Sequence, residues 1–216
     1  VFSSYLLALV FMPLLALAQN WPVTVKDLDN RTVTVEREPQ RIILQDGRDI
    51  FALALLERDN PFAHVVAWNN LPKKQDTETW NVLKRKWPEA EKILDMKFSD
   101  QGNVDLETVI SRQPDLMIAQ LRAKPSLTQS GVLEKLAALH IPVVFVDYEL
   151  HPVENTRPSI TLLGKVLGQS ERAQAYVDFY QKRLDTLHER MAKASKKPLV
   201  FIEPIAGVGG LDNGCC

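Results

Sequence analysis

Two arginines and two aromatic residues stand at the ends of short apolar runs. Arg48 follows Ile42-Ile43-Leu44, Trp68 closes the run from Ala63, Arg122 follows Leu116 to Ala119, and Tyr148 follows Val143 to Val146. A guanidinium is charged at any ordinary pH and can grip carboxylate or catecholate oxygens through paired hydrogen bonds. An indole or phenol ring offers a flat apolar face to an aromatic or macrocyclic ligand. The chemistry these residues can do together is non-covalent capture of a large ligand, although each alone also reads as an ordinary loop residue. Nothing comparable points to covalent chemistry, because no nucleophile elbow or catalytic spacing is present.

Two other groupings fail on spacing. His64, His140, His151 and His188 are far apart and never recur at metal-ligand intervals, so no metal site and no intrinsic cofactor are expected. Gly207-Val208-Gly209-Gly210 resembles the start of a dinucleotide loop, but Asp212 stands where the third glycine belongs. That stretch reads as a turn.

The elements needed to position the four residues are legible as alternation. Trp21 to Val35 has the pattern of a small hairpin around Asp27 to Asn30. Strands are expected at 41–44, 63–68, 116–119 and 143–146, with helices at 49–56, 77–87, 105–110 and 132–139 between them. Such alternation calls for a parallel sheet covered on both faces, an α/β fold. Ligands of open α/β sheets bind beyond the carboxyl ends of the strands, which is where Arg48, Trp68, Arg122 and Tyr148 fall. After Tyr148 a helix is expected from Pro158 to Leu167, closed by Gly168. A second follows from Glu171 to about Lys193, with Ala173, Val177, Tyr180, Leu184, Leu187 and Met191 on one stripe. Pro198 to Glu203 then has the composition of a new strand.

The amino end is set apart from the fold. Tyr5 to Leu17 is an apolar run of 13 residues ending in Ala16-Leu17-Ala18, the pattern of a secretory signal peptide cleaved after Ala18. A spanning helix needs about 20 apolar residues. Gln19, not a cysteine, follows the site, so a free periplasmic protein is expected. With 25% charged residues and a net charge of −1 there is no basic surface for nucleic acid. Cys215 and Cys216 are adjacent and assign no disulfide.

Three stretches carry a resemblance to a known family. They are Asn103 to Ala119 (Asn-Val-Asp-Leu-Glu-Thr-Val-Ile-Ser-Arg-Gln-Pro-Asp-Leu-Met-Ile-Ala), the hairpin followed by Pro39 to Ile43, and Leu163 to Gly168 leading into the long helix. The chain resembles the periplasmic binding proteins for ferric siderophores, haem and vitamin B12 that serve ATP-driven (ABC) importers. The resemblance implies two α/β lobes joined by one long helix, with the ligand held between them. On that reading residues 19–153 are the first lobe, 154–196 the helical segment, and 197–216 the start of a second lobe whose remainder lies outside this sequence. It also implies a monomer, a ferric siderophore or similar large chelate as ligand, and an inner-membrane ABC permease as partner. Glu107, otherwise a first-turn helix acid, is by that resemblance a permease-docking residue. Haem, cobalamin or a bare metal ion are the alternative ligands. A nitrogenase-like or chelatase-like enzyme subunit is a rival class, opposed by the export signal, and an adhesive module is another.

Overall fold

The computed structural model describes residues 21–96, 106–196 and 199. The expected signal peptide, the strand from Pro198 except Leu199, the glycine turn at 207–210 and both cysteines lie outside those residues. By internal contacts the chain divides into two units, Val1–Val177 and Asp178–Cys216.

The first unit opens with the expected hairpin, β1 (Val23–Lys26) and β2 (Thr32–Val35), paired antiparallel. Then follow β3 (Ile42–Leu44), α1 (Ile50–Leu56), β4 (Val65–Trp68), α2 (Leu71–Gln75), α3 (Thr77–Lys86) and β5 (Leu94–Asp95). After the undescribed segment come α4 (Leu106–Ser111), β6 (Leu116–Gln120), α5 (Lys124–Gln129), α6 (Val132–Ala138), β7 (Val143–Val146), α7 (Pro152–Val166) and α8 (Ser170–Ala192). Strands β3 to β7 form one parallel sheet in the order β5-β4-β3-β6-β7.

Side chains alternate across each strand, and that alternation divides the core into two layers. Ile42, Leu44, Ile118, Val144 and Val146 point to one face, packed with Leu53 and Leu56 of α1 and Ile160, Leu163 and Val166 of α7. Ile43, Met117, Ala119, Val143 and Phe145 point to the other, against Val109 of α4, Leu127 of α5 and Leu136 of α6. Strands covered on both sides have no polar face to show, which is why they read as continuous apolar runs. The β7 edge is closed by the hairpin: the Leu28 N–H donates to the Phe145 carbonyl and the Phe145 N–H to Asp27. The Arg31 guanidinium lies 4.5 Å from the Phe145 ring centre and donates to the Val143 carbonyl.

Two features depart from the expected pattern. The helix expected to start at Pro158 starts at Pro152, which takes the first-turn position where a missing N–H costs nothing, and Pro158 lies inside it. The helix ends as expected at Gly168 (φ +70°), and the Gln169 N–H donates to the Gly164 carbonyl at 2.7 Å. Short α2, α5 and β5 have no counterpart in the sequence pattern, because two to six residues give too little periodicity to stand out. Among the described residues no helix is long and apolar enough to cross a membrane.

Candidate functional site

The carboxyl ends of β3, β6 and β7 lie side by side in the sheet, and their following turns converge. After β3 the chain makes a single 3₁₀ turn, Gly47–Asp49, capped by Asp46, whose carboxylate accepts from the Arg48 N–H at 2.9 Å. The turn sits hard against the end of β4: a Cβ on Gly47 would lie 2.0 Å from the Asn69 carbonyl oxygen, so only glycine fits. After β7 a second aspartate organises the loop. Asp147 accepts from the N–H groups of Glu149, Leu150 and His151 at 2.8–3.1 Å and from the Asn155 amide at 2.7 Å.

These two turns, with Arg122 from the turn after β6, bring four charges together. Asp46 is buried and accepts from Arg48 Nε at 3.0 Å and from Arg122 Nη2 at 3.0 Å, in addition to its cap bond. Glu149 pairs with Arg48 through one carboxylate oxygen and with Arg122 through the other. Burial would raise the Asp46 carboxyl, but hydrogen bonds from Arg48, its charge and a further bond from Arg122 hold it below the ordinary aspartate value. The Arg48 guanidinium is pushed up, chiefly by its hydrogen bond to Asp46.

Beside this cluster opens a cavity of about 420 Å³, lined by Arg48, Asp49, Phe51, Leu55, Gln120, Tyr148, Glu149, Ile160 and Tyr176 among others. Its wall contains two orphaned polar atoms. Asp49 is buried; one carboxylate oxygen accepts from the Gln120 amide, and the other has no hydrogen-bond partner among the described residues. Burial raises its carboxyl well above the ordinary value, and the nearby Asp46 charge adds to this. The Tyr148 hydroxyl is likewise buried without a partner among the described residues, and burial raises its ionisation well above that of a free phenol. Buried polar atoms are nearly always satisfied, so an unpaired carboxylate oxygen and an unpaired hydroxyl in one cavity single it out as the candidate site. A larger cavity of about 680 Å³ lies at the other end of the strands, between β2, Pro114, Asp115 and Pro142. Its lining includes Arg31, Glu36, Arg37, Asp115 and His140, but none of the residues beyond the carboxyl ends of β3, β6 and β7.

Of the residues singled out from sequence, Arg48 and Tyr148 line the smaller cavity, and Arg122 stands beside it in the charge cluster. Trp68 does not offer a face to a ligand. It is fully buried, stacked edge-on against Phe62 (5.5 Å, 87°) and tilted against Trp80 (5.8 Å). The alternation of β4 turns this last strand residue into the helix-covered core. Glu107 is exposed in the first turn of α4, away from these turns in sequence. Sequence reasoning misses Asp46, Asp49, Glu149 and Tyr176. The run Asp46-Gly47-Arg48-Asp49, three charges straight after an apolar strand, is the available signal for the first two. Among the described residues no three His, Cys, Asp or Glu side chains gather to hold a metal ion.

Over residues 56–210 the sequence matches the family described as Periplasmic binding protein. It is 25% identical over 186 residues to an uncharacterized ABC transporter substrate-binding lipoprotein, YvrC, of Bacillus subtilis (strain 168), covering 85% of this chain and 52% of that one. It superposes on the TroA-like periplasmic binding protein FepB from Veillonella parvula with a TM-score of 0.73, at 24% identity, over 82% of this chain and 51% of the other. It also superposes on the siderophore binding protein BauB, solved with two molecules of acinetobactin and ferric iron, with a TM-score of 0.57, at 17% identity, over 84% and 58% of the two chains. At these identities the structural likeness is one of fold. The chain spans about half the length of the relatives it matches.

Proposed function

This chain belongs to the periplasmic binding protein family, and from that premise we propose that it captures a ferric siderophore-type complex outside the cytoplasm and delivers it to the permease of an ABC importer. The observation that carries this reading is the cavity at the carboxyl ends of β3, β6 and β7, where arginines meet aromatic rings. Tyr148, Tyr176 and Phe51 supply flat apolar surface for an organic chelator, and Arg48 and Arg122 supply oriented donors for its oxygens. Iron wrapped in a chelator needs no ligand from the protein. Capture and release involve no covalent step, so the protein acts as a carrier, not as an enzyme. The description of YvrC as an ABC transporter substrate-binding lipoprotein supports the transport role. Glu107, exposed on α4, is the docking contact on this lobe, where charge pairing with the permease sets orientation and encounter rate.

The test is calorimetric titration of the full-length protein with a ferric tricatecholate, a ferric trihydroxamate, ferric citrate, haemin and cobalamin. Saturable binding of a ferric chelate, weakened at least tenfold by Arg48→Ala, is the expected outcome. Binding of haemin or cobalamin alone would move the assignment to that ligand. Silence from every ligand would sink the chelate reading.

A further inference from the structure

Both guanidiniums beside the cavity are occupied in the free protein, and their two partners are held very differently. Asp46 is almost fully buried, with its side chain 1% exposed, and it caps the turn that carries Arg48. It cannot leave without undoing that turn. Glu149 comes from a separate loop and its side chain is 32% exposed, so rotation about its own bonds carries it into water. Its two oxygens divide between the two arginines, one on Arg48 and one on Arg122. A ligand carboxylate or catecholate would approach a guanidinium pair in the same way. The four formal charges cancel with Glu149 in place, and a single positive charge remains once it swings out.

We propose that Glu149 is a built-in stand-in for the anionic group of the ligand, displaced from Arg48 and Arg122 when a two-oxygen anion enters the cavity. This rests on the reading of the cavity as the ligand site. Asp46 stays behind and keeps both guanidiniums aimed, so the incoming anion meets oriented donors. Glu149 thereby sets a threshold for anions. A ligand whose paired oxygens span both arginines recovers what the departing carboxylate gave up, and one with a single charged oxygen does not. Neutral ligands gain nothing from the exchange.

The experiment compares salicylate with its uncharged counterpart salicylamide, titrated calorimetrically at low ionic strength into the full-length protein. Wild type, Glu149→Gln and Glu149→Ala are compared, with Glu154→Gln, an exposed acid outside the cluster, as control for net charge. Salicylate is expected to bind about fivefold more tightly to both Glu149 variants, the upper end of what removing one competing exposed ion pair is worth. Salicylamide binding and the Glu154→Gln protein should be unchanged. No tightening, or equal tightening for salicylamide or for Glu154→Gln, overturns the proposal. A ferric tricatecholate run in parallel keeps the two readings apart. If no form binds it while salicylate still tightens, the chelate reading falls and the role of Glu149 stands. Equal binding of the chelate by wild type and by both Glu149 variants keeps the chelate reading and overturns this one.

Discussion

Replacing Asp46 by asparagine removes one negative charge from the point where two arginines meet, with almost no change in volume. In the native turn that carboxylate accepts from the Arg48 N–H, from Arg48 Nε and Nη2, and from Arg122 Nη2, at 2.5–3.0 Å. Asparagine keeps one acceptor oxygen for the cap but loses the second and turns a donor towards the guanidiniums. Hydrogen bonds to a charged group are worth roughly 1.5–3 kcal/mol each before coupling is considered. The arginines are 43% and 31% exposed, so water replaces part of what they lose and their share shrinks towards that of surface pairs. A net cost of about 2 kcal/mol results, a fall in Tm of roughly 4–8 °C for a protein of this size. The pH dependence carries a definite sign. Although burial opposes it, the Arg48 bonds hold the folded Asp46 carboxyl below its ordinary value of 3.8. Its stabilisation is therefore fully present above that value and is lost as pH falls through the folded one. Thermal unfolding followed by circular dichroism, at neutral pH and then stepwise below pH 3.8, should show the gap between wild type and Asp46→Asn closing on acidification. Equal stability at neutral pH, or a gap that persists in acid, would refute the argument.

Three further substitutions probe other links. Gly47→Ala drives a Cβ to 2.0 Å from the Asn69 carbonyl oxygen, a backbone atom that cannot step aside, and should cost about 3 kcal/mol in urea unfolding. Trp68→Phe should lower stability by about 2 kcal/mol through lost core packing while leaving the affinity for any bound chelate within about twofold, since the ring belongs to the core. A large loss of affinity without loss of stability would restore Trp68 to the site. Tyr148→Phe removes a buried hydroxyl that has no partner among the described residues, so the ligand-free Tm should stay level or rise by the equivalent of about 1 kcal/mol. A fall of that size would mean the hydroxyl is satisfied after all.

Much of the lobe is legible in the order of its residues. The apolar runs Ile42 to Leu44, Leu116 to Ala119 and Val143 to Val146 announce parallel strands because burial on both faces leaves little reason for a polar residue. Strand order follows from none of them. The chain order β3, β4, β5, β6, β7 becomes β5-β4-β3-β6-β7 in space, and only that reversal at β3 sets Asp46 beside Arg122 and Glu149. Spacing can therefore name Arg48, Arg122 and Tyr148 as residues beyond strand ends, each judged within its own loop. It cannot show that two carboxylates neutralise the arginines, because Asp46 and Glu149 are about a hundred positions apart in the chain. Trp68 marks the same boundary from the other side. Its position at the end of a strand is readable, but the face it occupies depends on which helices cover β4. The sequence by itself determined the alternating elements, the family resemblance and the end of the sheet where a ligand would sit. Tertiary structure alone decided which side chains meet there and in what state of charge, because those depend on contacts between residues remote in sequence.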